Sequence, residues 1–142
     1  MIMTKKYEII IKYIQDLSVE IPTAETFIFS REHITKYVLG IKISTKTLKN
    51  KMIEVVTKLT YRDPNENKRK SHFEISFATV IRLLGEKVDK VEIEKILLCD
   101  VQKEIYPELE TILIRLIKDS GFPELKLDKK IDFDQLYLKK SN

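Results

Sequence analysis

The sequence is poor in the residues that build most enzyme sites. It contains only three glycines, two histidines and one cysteine in 142 residues. The glycines are not clustered, which excludes a phosphate-binding loop or a dinucleotide fingerprint, and there is no Gly-x-Ser-x-Gly nucleophile motif. His33, His72 and Cys99 are not at metal-ligand spacing. The residue chemistry therefore predicts a protein without catalytic residues or a bound metal.

Long apolar runs and paired cysteines are also missing. The lone Cys99 excludes an internal disulfide and fits a reducing compartment. No apolar run approaches the roughly 20 residues that span a membrane, and no small-residue cleavage site of a secretory signal follows the first residues. We therefore expect a cytoplasmic protein without membrane insertion.

The composition is that of an ordinary globular protein. Hydrophobic residues make up 43% and charged residues 34% of the chain, and 26 basic against 22 acidic residues give a net charge of +4. The mild excess of basic residues is spread along the chain, so solubility explains it better than binding to nucleic acid does. The length predicts one domain that spans residues 1–142.

Alternation of apolar and polar residues predicts four strands. They are expected at Tyr13–Pro22, Val38–Ile43, Lys51–Tyr61 and His72–Leu83. The last two should form an antiparallel hairpin, because turn-forming residues fill positions 63–67. Residues 23–37 have no steady period, and we interpret them as a long crossover loop with some extended character.

The stretch Val101–Pro123 has the period of a helix. The helix should end at Gly121, because glycine is suited to helix termination. Because Pro107 removes a helix hydrogen bond, the regular helix should start near Tyr106 or kink there. Residues 85–100 favour neither helix nor strand. Beyond position 131, a capping-box pattern predicts a short terminal helix. The residues alone thus predict an α+β protein.

Two charged features have open interpretations. The tip of the predicted hairpin, Lys68–Lys70, offers three bases to nucleic-acid phosphates, but no aromatic residue is interleaved for base stacking, so a solvated loop is the favoured interpretation. Asp16 and Glu20 lie on the open face of the first strand, where solvation of the sheet is favoured over a carboxylate pair for catalysis, because nothing in the sequence indicates a cleft there.

The stretch Tyr13–Pro22, read together with five shorter stretches between residues 54 and 137, resembles SecB, a family of bacterial protein-export chaperones. Tyr13–Pro22 is similar to the family's first strand, which reads Tyr, Asp, aliphatic, Ser, apolar, Glu, any residue, Pro. The family's third and fourth strands are matched by residues 54–56 and 73–75. Its aromatic-Pro helix opening is matched by residues 106–107, its Gly-Phe-Pro-x-Leu segment by 121–125 and its final helix by 132–137. The resemblance covers nearly the whole chain.

The resemblance implies a four-stranded antiparallel sheet with a long helix packed on one face and a short C-terminal helix, assembled as a dimer of dimers. It further implies an ATP-independent holdase that binds unfolded preproteins and delivers them to SecA, with no cofactor. This chain departs from the family in being basic and in lacking an acidic tail. A SecB-like chaperone of another system, such as a toxin–antitoxin pair, is one alternative. A small nucleic-acid-binding protein that uses Lys68–Lys70 is the other.

The resemblance also places candidate sites. The positions matching the acidic SecA-docking face are Asp16, Glu20 and Glu74. We expect a client-peptide groove where the crossover segment meets the terminal helix, formed by Phe27, Ile28, Phe29, Phe133, Leu136 and Tyr137. The alternative is that these residues complete the core. The unprotected edge of the first strand predicts pairing with a second copy. Apolar residues beyond one narrow helix stripe predict further oligomer contacts at Leu113, Ile114 and Ile117.

Overall fold

The computed structural model describes residues 5–64, 71–127 and 131–141. In chain order the elements are β1 (Tyr7–Glu20), α1 (Ala24–His33), a 3-10 turn (Ile34–Lys36), β2 (Val38–Thr47), β3 (Met52–Arg62), β4 (His72–Leu83), α2 (Lys90–Lys95), a π-helical segment (Ile96–Asp100), α3 (Val101–Asp119) and α4 (Phe133–Ser141). The elements α2, π segment and α3 are continuous and form one long helix of 30 residues. The predicted four-stranded α+β fold, with a long helix and a short terminal helix, is confirmed.

The strands form one antiparallel sheet in the order β1-β4-β3-β2. β3 and β4 pair from Met52 opposite Arg82 to Arg62 opposite His72, so the predicted hairpin is confirmed. Their odd-numbered residues are buried toward the long helix, and their even-numbered residues lie on the other side, which we call the open face. The hairpin tip at Lys68–Lys70, the candidate contact for nucleic acid, lies outside the described residues.

β1 is longer and less regular than predicted. It starts at Tyr7 instead of Tyr13, and its register against β4 shifts at Ile10 and again at Gln15. An extra residue in one strand reverses the faces on which the following side chains lie. Tyr13 is therefore on the open face, whereas unbroken alternation places it on the same face as Leu17.

The segment predicted as a crossover loop contains the helix α1, so that prediction is wrong. Thr23 caps the helix, because its Oγ1 accepts a hydrogen bond from the Thr26 N–H at 3.1 Å. Phe27 packs on Phe122, with ring centroids 4.8 Å apart, and holds α1 against the chain that follows α3. The β-prone aromatic run in this segment is a weak local preference, which the cap and the packing override.

Three buried hydroxyl groups tie α1 to the sheet. Ser30 on α1, Tyr37 just before β2 and Ser71 just before β4 are at most 1% exposed, and their oxygens lie 2.7 to 2.9 Å apart. Each hydroxyl can donate one hydrogen bond and accept another, so the three satisfy one another. Because an unpaired buried hydroxyl is costly, this ring fixes α1 relative to both strands.

A buried polar contact sets the position of the long helix on the sheet. Gln102 is fully buried, and its Oε1 accepts a hydrogen bond from the Thr57 hydroxyl of β3 at 2.8 Å. Its Nε2 donates to the carbonyl oxygen of Leu97 at 3.1 Å. Leu97 belongs to the π-helical segment, where the wider turn departs from the regular helix hydrogen-bond pattern. One side chain thus satisfies a helix carbonyl and a strand hydroxyl at once.

The helix α3 starts five residues before the predicted position and continues through Pro107 without a change of helix type. Ile105 and Leu109, on either side of the proline, are completely buried. Burying two such side chains stabilises the fold by about 1.5 to 3 kcal/mol each, which offsets the roughly 3 kcal/mol that an interior proline costs.

The apolar stripe of α3 faces the sheet of its own chain. Ile105, Leu109, Leu113 and Ile117 recur at steps of four residues and are all completely buried. The prediction that Leu113 and Ile117 contact a second copy is therefore wrong, because the core of this chain already covers them. Ile114, the third residue of that prediction, is half-buried.

Replacing Gln102 tests the contact that positions the long helix. We expect Gln102→Leu to lower the free energy of unfolding by about 1 to 3 kcal/mol, because the Thr57 hydroxyl and the Leu97 carbonyl lose a buried partner. Urea unfolding followed by circular dichroism measures the change. Gln135→Leu, the same exchange at an exposed residue, is the matched control and should change stability by less than about 0.5 kcal/mol. Equal stability of Gln102→Leu and wild type would contradict the argument.

Candidate binding surfaces

A hollow of about 470 Å³ lies between β2 and α4. Its apolar lining comes from β2, the π-helical segment and α4: Ile41, Ile43, Leu98, Leu136 and Tyr137. Lys42 of β2 and Lys139 of α4 also line it. A second hollow of about 410 Å³ shares Ile41, Leu136 and Lys139 with the first and adds Leu39 and Ile131. We call the two hollows together the β2–α4 groove. Together the two hollows line β2 with apolar contacts from Leu39 to Ile43.

β2 is an edge strand. Within the part of the chain that the structure describes, it pairs with β3 on one side only. Leu39, Ile41 and Ile43 are half-buried on the side that faces the helices. The outward N–H and C=O groups of an edge strand are available to another extended chain, and an adjacent apolar groove receives alternate side chains of that chain. The arrangement suits an extended polypeptide.

The outer wall of the groove, α4, is held at its first turn. Asp132 Oδ1 accepts a hydrogen bond from the Gln135 N–H at 3.1 Å, as the predicted capping box requires. Phe133 is only 4% exposed and packs edge-on against Tyr106 of α3, with ring centroids 5.4 Å apart. These contacts fix the start of α4 on the long helix.

Asp134 joins α4 to the long helix through a small polar cluster. Its Oδ2 lies 2.9 Å from Lys103 Nζ, and its Oδ1 accepts a hydrogen bond from the Cys99 thiol at 3.0 Å. Burial and the neighbouring carboxylate raise the pKa of Cys99, so the thiol stays protonated and donates. The thiol and the Lys103 ammonium lower the pKa of Asp134. The carboxylate is therefore charged at neutral pH, and on the acid side the cluster weakens as the pH falls through that lowered pKa.

Three of the predicted client-groove residues lie on α4. Leu136 and Tyr137 line the β2–α4 groove, whereas Phe133 is part of the core. The opposite wall, Ile41 and Ile43, was not predicted to bind clients. The alternation of β2 marks it as a strand, but nothing in that pattern shows that the strand lies at the edge of the sheet.

The other three predicted groove residues lie on α1, at a different place. Phe27 packs on Phe122, Phe29 stacks on a histidine of the same helix, and Ile28 is 61% exposed. The partner of Phe27 follows the C-terminal end of α3, whereas α4 is held near Tyr106, so about 20 Å of helix separates the two contacts. The structure therefore presents two surfaces where one groove was predicted.

The three predicted partner-docking carboxylates lie together on the open face. Asp16 and Glu20 on β1 flank Glu74 on the neighbouring strand, each about 7 to 8 Å from it. Glu74 Oε1 is 3.1 Å from Lys58 Nζ, and Glu20 Oε2 is 3.6 Å from His72 Nδ1. Asp16 is exposed and makes no ion pair with a described residue. A basic ligand would meet one unpaired carboxylate and compete with Lys58 for another.

The second edge strand, β1, exposes apolar residues on both faces. Ile11 and Tyr13 on the open face are 51% and 42% exposed. Ile14, Leu17 and Val19 on the other face are 38 to 47% exposed. A long, apolar edge of this kind is a template for pairing with another chain.

A four-stranded antiparallel sheet with one long helix and a short C-terminal helix is also the fold of a solved SecB-like chaperone. The family model described as preprotein translocase subunit SecB matches residues 3–142. The chain belongs to the SecB family of protein-export chaperones. Among the described residues, no helix is long and apolar enough to cross a membrane.

Individual relatives agree with this assignment. A Pelagibacter ubique protein, provisionally named protein-export protein SecB, is 46% identical over 140 residues, which are 99% of this chain and 100% of that protein. The protein-export protein SecB of Rickettsia bellii is 29% identical over 91% of this chain and 84% of its own length. A SecB-like chaperone of Mycobacterium tuberculosis, solved in complex with an antitoxin peptide, has the same fold, with a TM-score of 0.67 at 15% identity over 89% of this chain and 88% of that one.

Asp134→Asn tests the cluster that holds α4. The variant loses the ion pair with Lys103 and offers the Cys99 thiol a weaker acceptor, so α4 should detach more often. Cys99 is 1% exposed in the closed arrangement, and we expect it to react several-fold faster with a chromogenic disulfide reagent. Rates measured at several pH values separate exposure from the thiolate fraction.

The control for this experiment is Asp119→Asn, which removes an exposed carboxylate paired with Arg115 at the other end of α3. It should leave the reaction of Cys99 unchanged. A rate for Asp134→Asn equal to that of wild type would mean that the packing of Phe133 alone holds α4.

Proposed function

We propose that residues 1–142 form a single chaperone domain that holds unfolded preproteins without ATP before their export. Membership of the SecB family supports the export role, and the β2–α4 groove supplies a surface for extended chains. The proposal places the protein in the cytoplasm, where preproteins are held before translocation. It assigns the chain no catalytic residue and no cofactor.

The free edge of β2 beside an apolar groove is the observation that carries this proposal. An unfolded chain exposes backbone polar groups together with apolar side chains. The edge of β2 offers hydrogen bonds to the former, and Ile41, Ile43 and Leu136 offer apolar contacts to the latter. Binding through the backbone is broad in sequence, and burial of apolar surface drives it without nucleotide hydrolysis. The residues of α1, Phe27, Ile28 and Phe29, are proposed as a second contact for long clients.

We also propose a homotetramer, assembled as a dimer of dimers. The exposed apolar residues on both faces of β1 support pairing of this edge with the β1 edge of a second copy. Ile114 is the remaining candidate on the long helix for contact between dimers. The number four comes from the family resemblance.

Asp16, Glu20 and Glu74 are proposed as the docking site for the basic tail of SecA. Their common position on the open face supports this role. Lys58 and the net charge of +4 oppose it, so attraction must come from the local patch alone.

A second candidate is a SecB-like chaperone that serves an antitoxin. The Mycobacterium tuberculosis chaperone with the same fold was solved with an antitoxin peptide. A holdase that binds unfolded chains but does not bind the SecA tail would favour this candidate over export through SecA.

Leu136→Ser tests the groove as the client site. Leu136 is 38% exposed in the groove, and we expect the variant to suppress aggregation of a denatured protein several-fold less well, without ATP, because clients lose an apolar contact. Its thermal midpoint should change little, as is usual for an exposed side chain. Leu138→Ser is the matched control, because Leu138 is 53% exposed on the same helix but does not line the groove. Failure of the wild type, or equal effects of both variants, would refute the proposal.

Ile14→Asp tests the assembly through β1. Ile14 is 47% exposed, and a charge in a paired edge should shift the protein toward smaller species in sedimentation velocity. Ile28→Asp, at a residue 61% exposed on α1, is the control and should sediment as the wild type does. A wild type that is monomeric at micromolar concentration would rule out the assembly.

Asp16→Lys combined with Glu20→Lys tests the docking site. At low salt the variant should lose binding to a SecA tail peptide, and wild-type binding should weaken as salt is added, because exposed charges are screened. Glu25→Lys with Glu32→Lys, the same reversal on exposed residues of α1, is the control. Unaltered binding of the first variant, or none by the wild type, would mean that the carboxylates only solvate the sheet.

A further inference from the structure

His72 lies at one end of the open face, between two strands that each place a charged residue beside it. It is the first residue of β4 and stands directly opposite Glu20 of β1 and Arg62 of β3. Its Nδ1 lies 3.6 Å from Glu20 Oε2. Because an imidazole carries a charge only when it is protonated, this contact is an ion pair in the protonated form alone.

The charged groups around His72 act in both directions. Arg62 opposes a positive charge on the neighbouring imidazole, whereas Glu20 favours it. Glu74, two residues along β4 on the same face, and Asp63, which lines the same hollow of the surface, also favour it. Charges of both signs therefore surround the imidazole, and histidine is the side chain that ordinarily changes charge between about pH 5 and pH 8.

Glu20 is the carboxylate that His72 controls. Of the other two carboxylates proposed for docking, Glu74 has Lys58 as its partner at 3.1 Å, and Asp16 makes no ion pair with a described residue. Within the part of the chain that the structure describes, His72 is the only basic side chain within 4.0 Å of the Glu20 carboxylate. With His72 neutral, the charge of Glu20 is therefore available to a basic ligand.

Protonation of His72 weakens the acidic patch in two ways. The imidazolium pairs with Glu20 and competes with a ligand for that carboxylate. It also adds a positive charge to the face on which the ligand docks, and this charge repels a basic segment most strongly at low ionic strength. Both effects have the same sign, so a basic ligand and the proton oppose each other.

We propose that His72 makes docking at the acidic patch depend on pH: the neutral imidazole leaves Glu20 to a basic partner segment, and the imidazolium holds Glu20 and repels that segment. The inference rests on the proposed docking site, because it concerns the regulation of that site. Docking strengthens as the pH rises through the range in which histidines lose their proton, and it weakens as the pH falls through that range. Linkage also requires that a bound segment make His72 harder to protonate.

A fluorescent peptide with capped termini, whose only charged side chains are lysine and arginine, tests the proposal by anisotropy with the full chain. The charge of this peptide is constant between about pH 6 and pH 8. At low salt we expect it to bind about twofold to fivefold tighter at the higher pH than at the lower, the size of effect that an exposed ion pair gives. Added salt should reduce both the binding and its pH dependence.

Substitutions of His72 assign the pH dependence to this residue. His72→Gln retains every carboxylate but has no group that titrates in this range, so it should bind the peptide at each pH as tightly as the wild type does at the higher pH. His72→Lys carries a permanent charge and should bind weakly throughout. The control is His33→Gln, at the other histidine of the chain, which stacks on Phe29 of α1 and should keep the wild-type pH dependence.

The outcomes separate the inference from the docking site. Equal wild-type binding at both pH values, or a pH dependence of His72→Gln equal to that of the wild type, overturns the role of His72 and leaves the docking site in place. The same conclusion follows if bound peptide does not move the NMR titration curve of the His72 imidazole to lower pH. Absence of wild-type binding at either pH, or binding that Asp16→Lys with Glu20→Lys leaves unchanged, overturns the docking site itself and this inference with it.

Discussion

One helix is narrower than the sheet that it covers, and the rest of the molecule follows from this mismatch. A helix with its side chains is about 10 to 12 Å wide, whereas four strands about 4.8 Å apart span roughly 15 Å between the outer backbones alone. The contact between Gln102 and Thr57 seats the long helix over the central strands, whose odd-numbered residues become the core. The two outer strands keep an open edge each.

The two edges are finished differently, and this difference organises the proposed function. β1 has exposed apolar residues on both faces, which suits pairing with an identical edge. β2 has α4 beside it, held by Phe133 and Asp134, so that a groove forms along one face of the strand. A chain added to β2 gains main-chain hydrogen bonds and an apolar pocket together. Assembly and client binding can therefore use opposite edges of one sheet without competing.

Residue patterns predict those parts of the fold that local rules govern. The predicted bounds of His72–Leu83 agree with the observed strand. The turn-rich stretch before it marks its start, and the end of the alternation marks its end. Parity likewise brings Asp16, Glu20 and Glu74 to one face. The bulges of β1 have no signature in composition, and α1 depends on partners far along the chain, such as Ser71 and Phe122. Leu136 and Tyr137 on one wall of the groove were predicted, but the opposite wall on β2 was not, because it depends on two facts of topology: β2 is an edge strand, and α4 returns to lie beside it.

Hydrogen exchange of β2 during client binding is the most direct test of the central claim. Backbone amides of residues 38–47 that point away from β3 are unpaired in the described structure, so they should exchange rapidly in the free protein. A bound unfolded chain that adds to this edge should slow those amides, while the amides already bonded to β3 change little. Slowed exchange confined to β1 or α1, with no change in β2, would show that clients bind elsewhere and would contradict the claim.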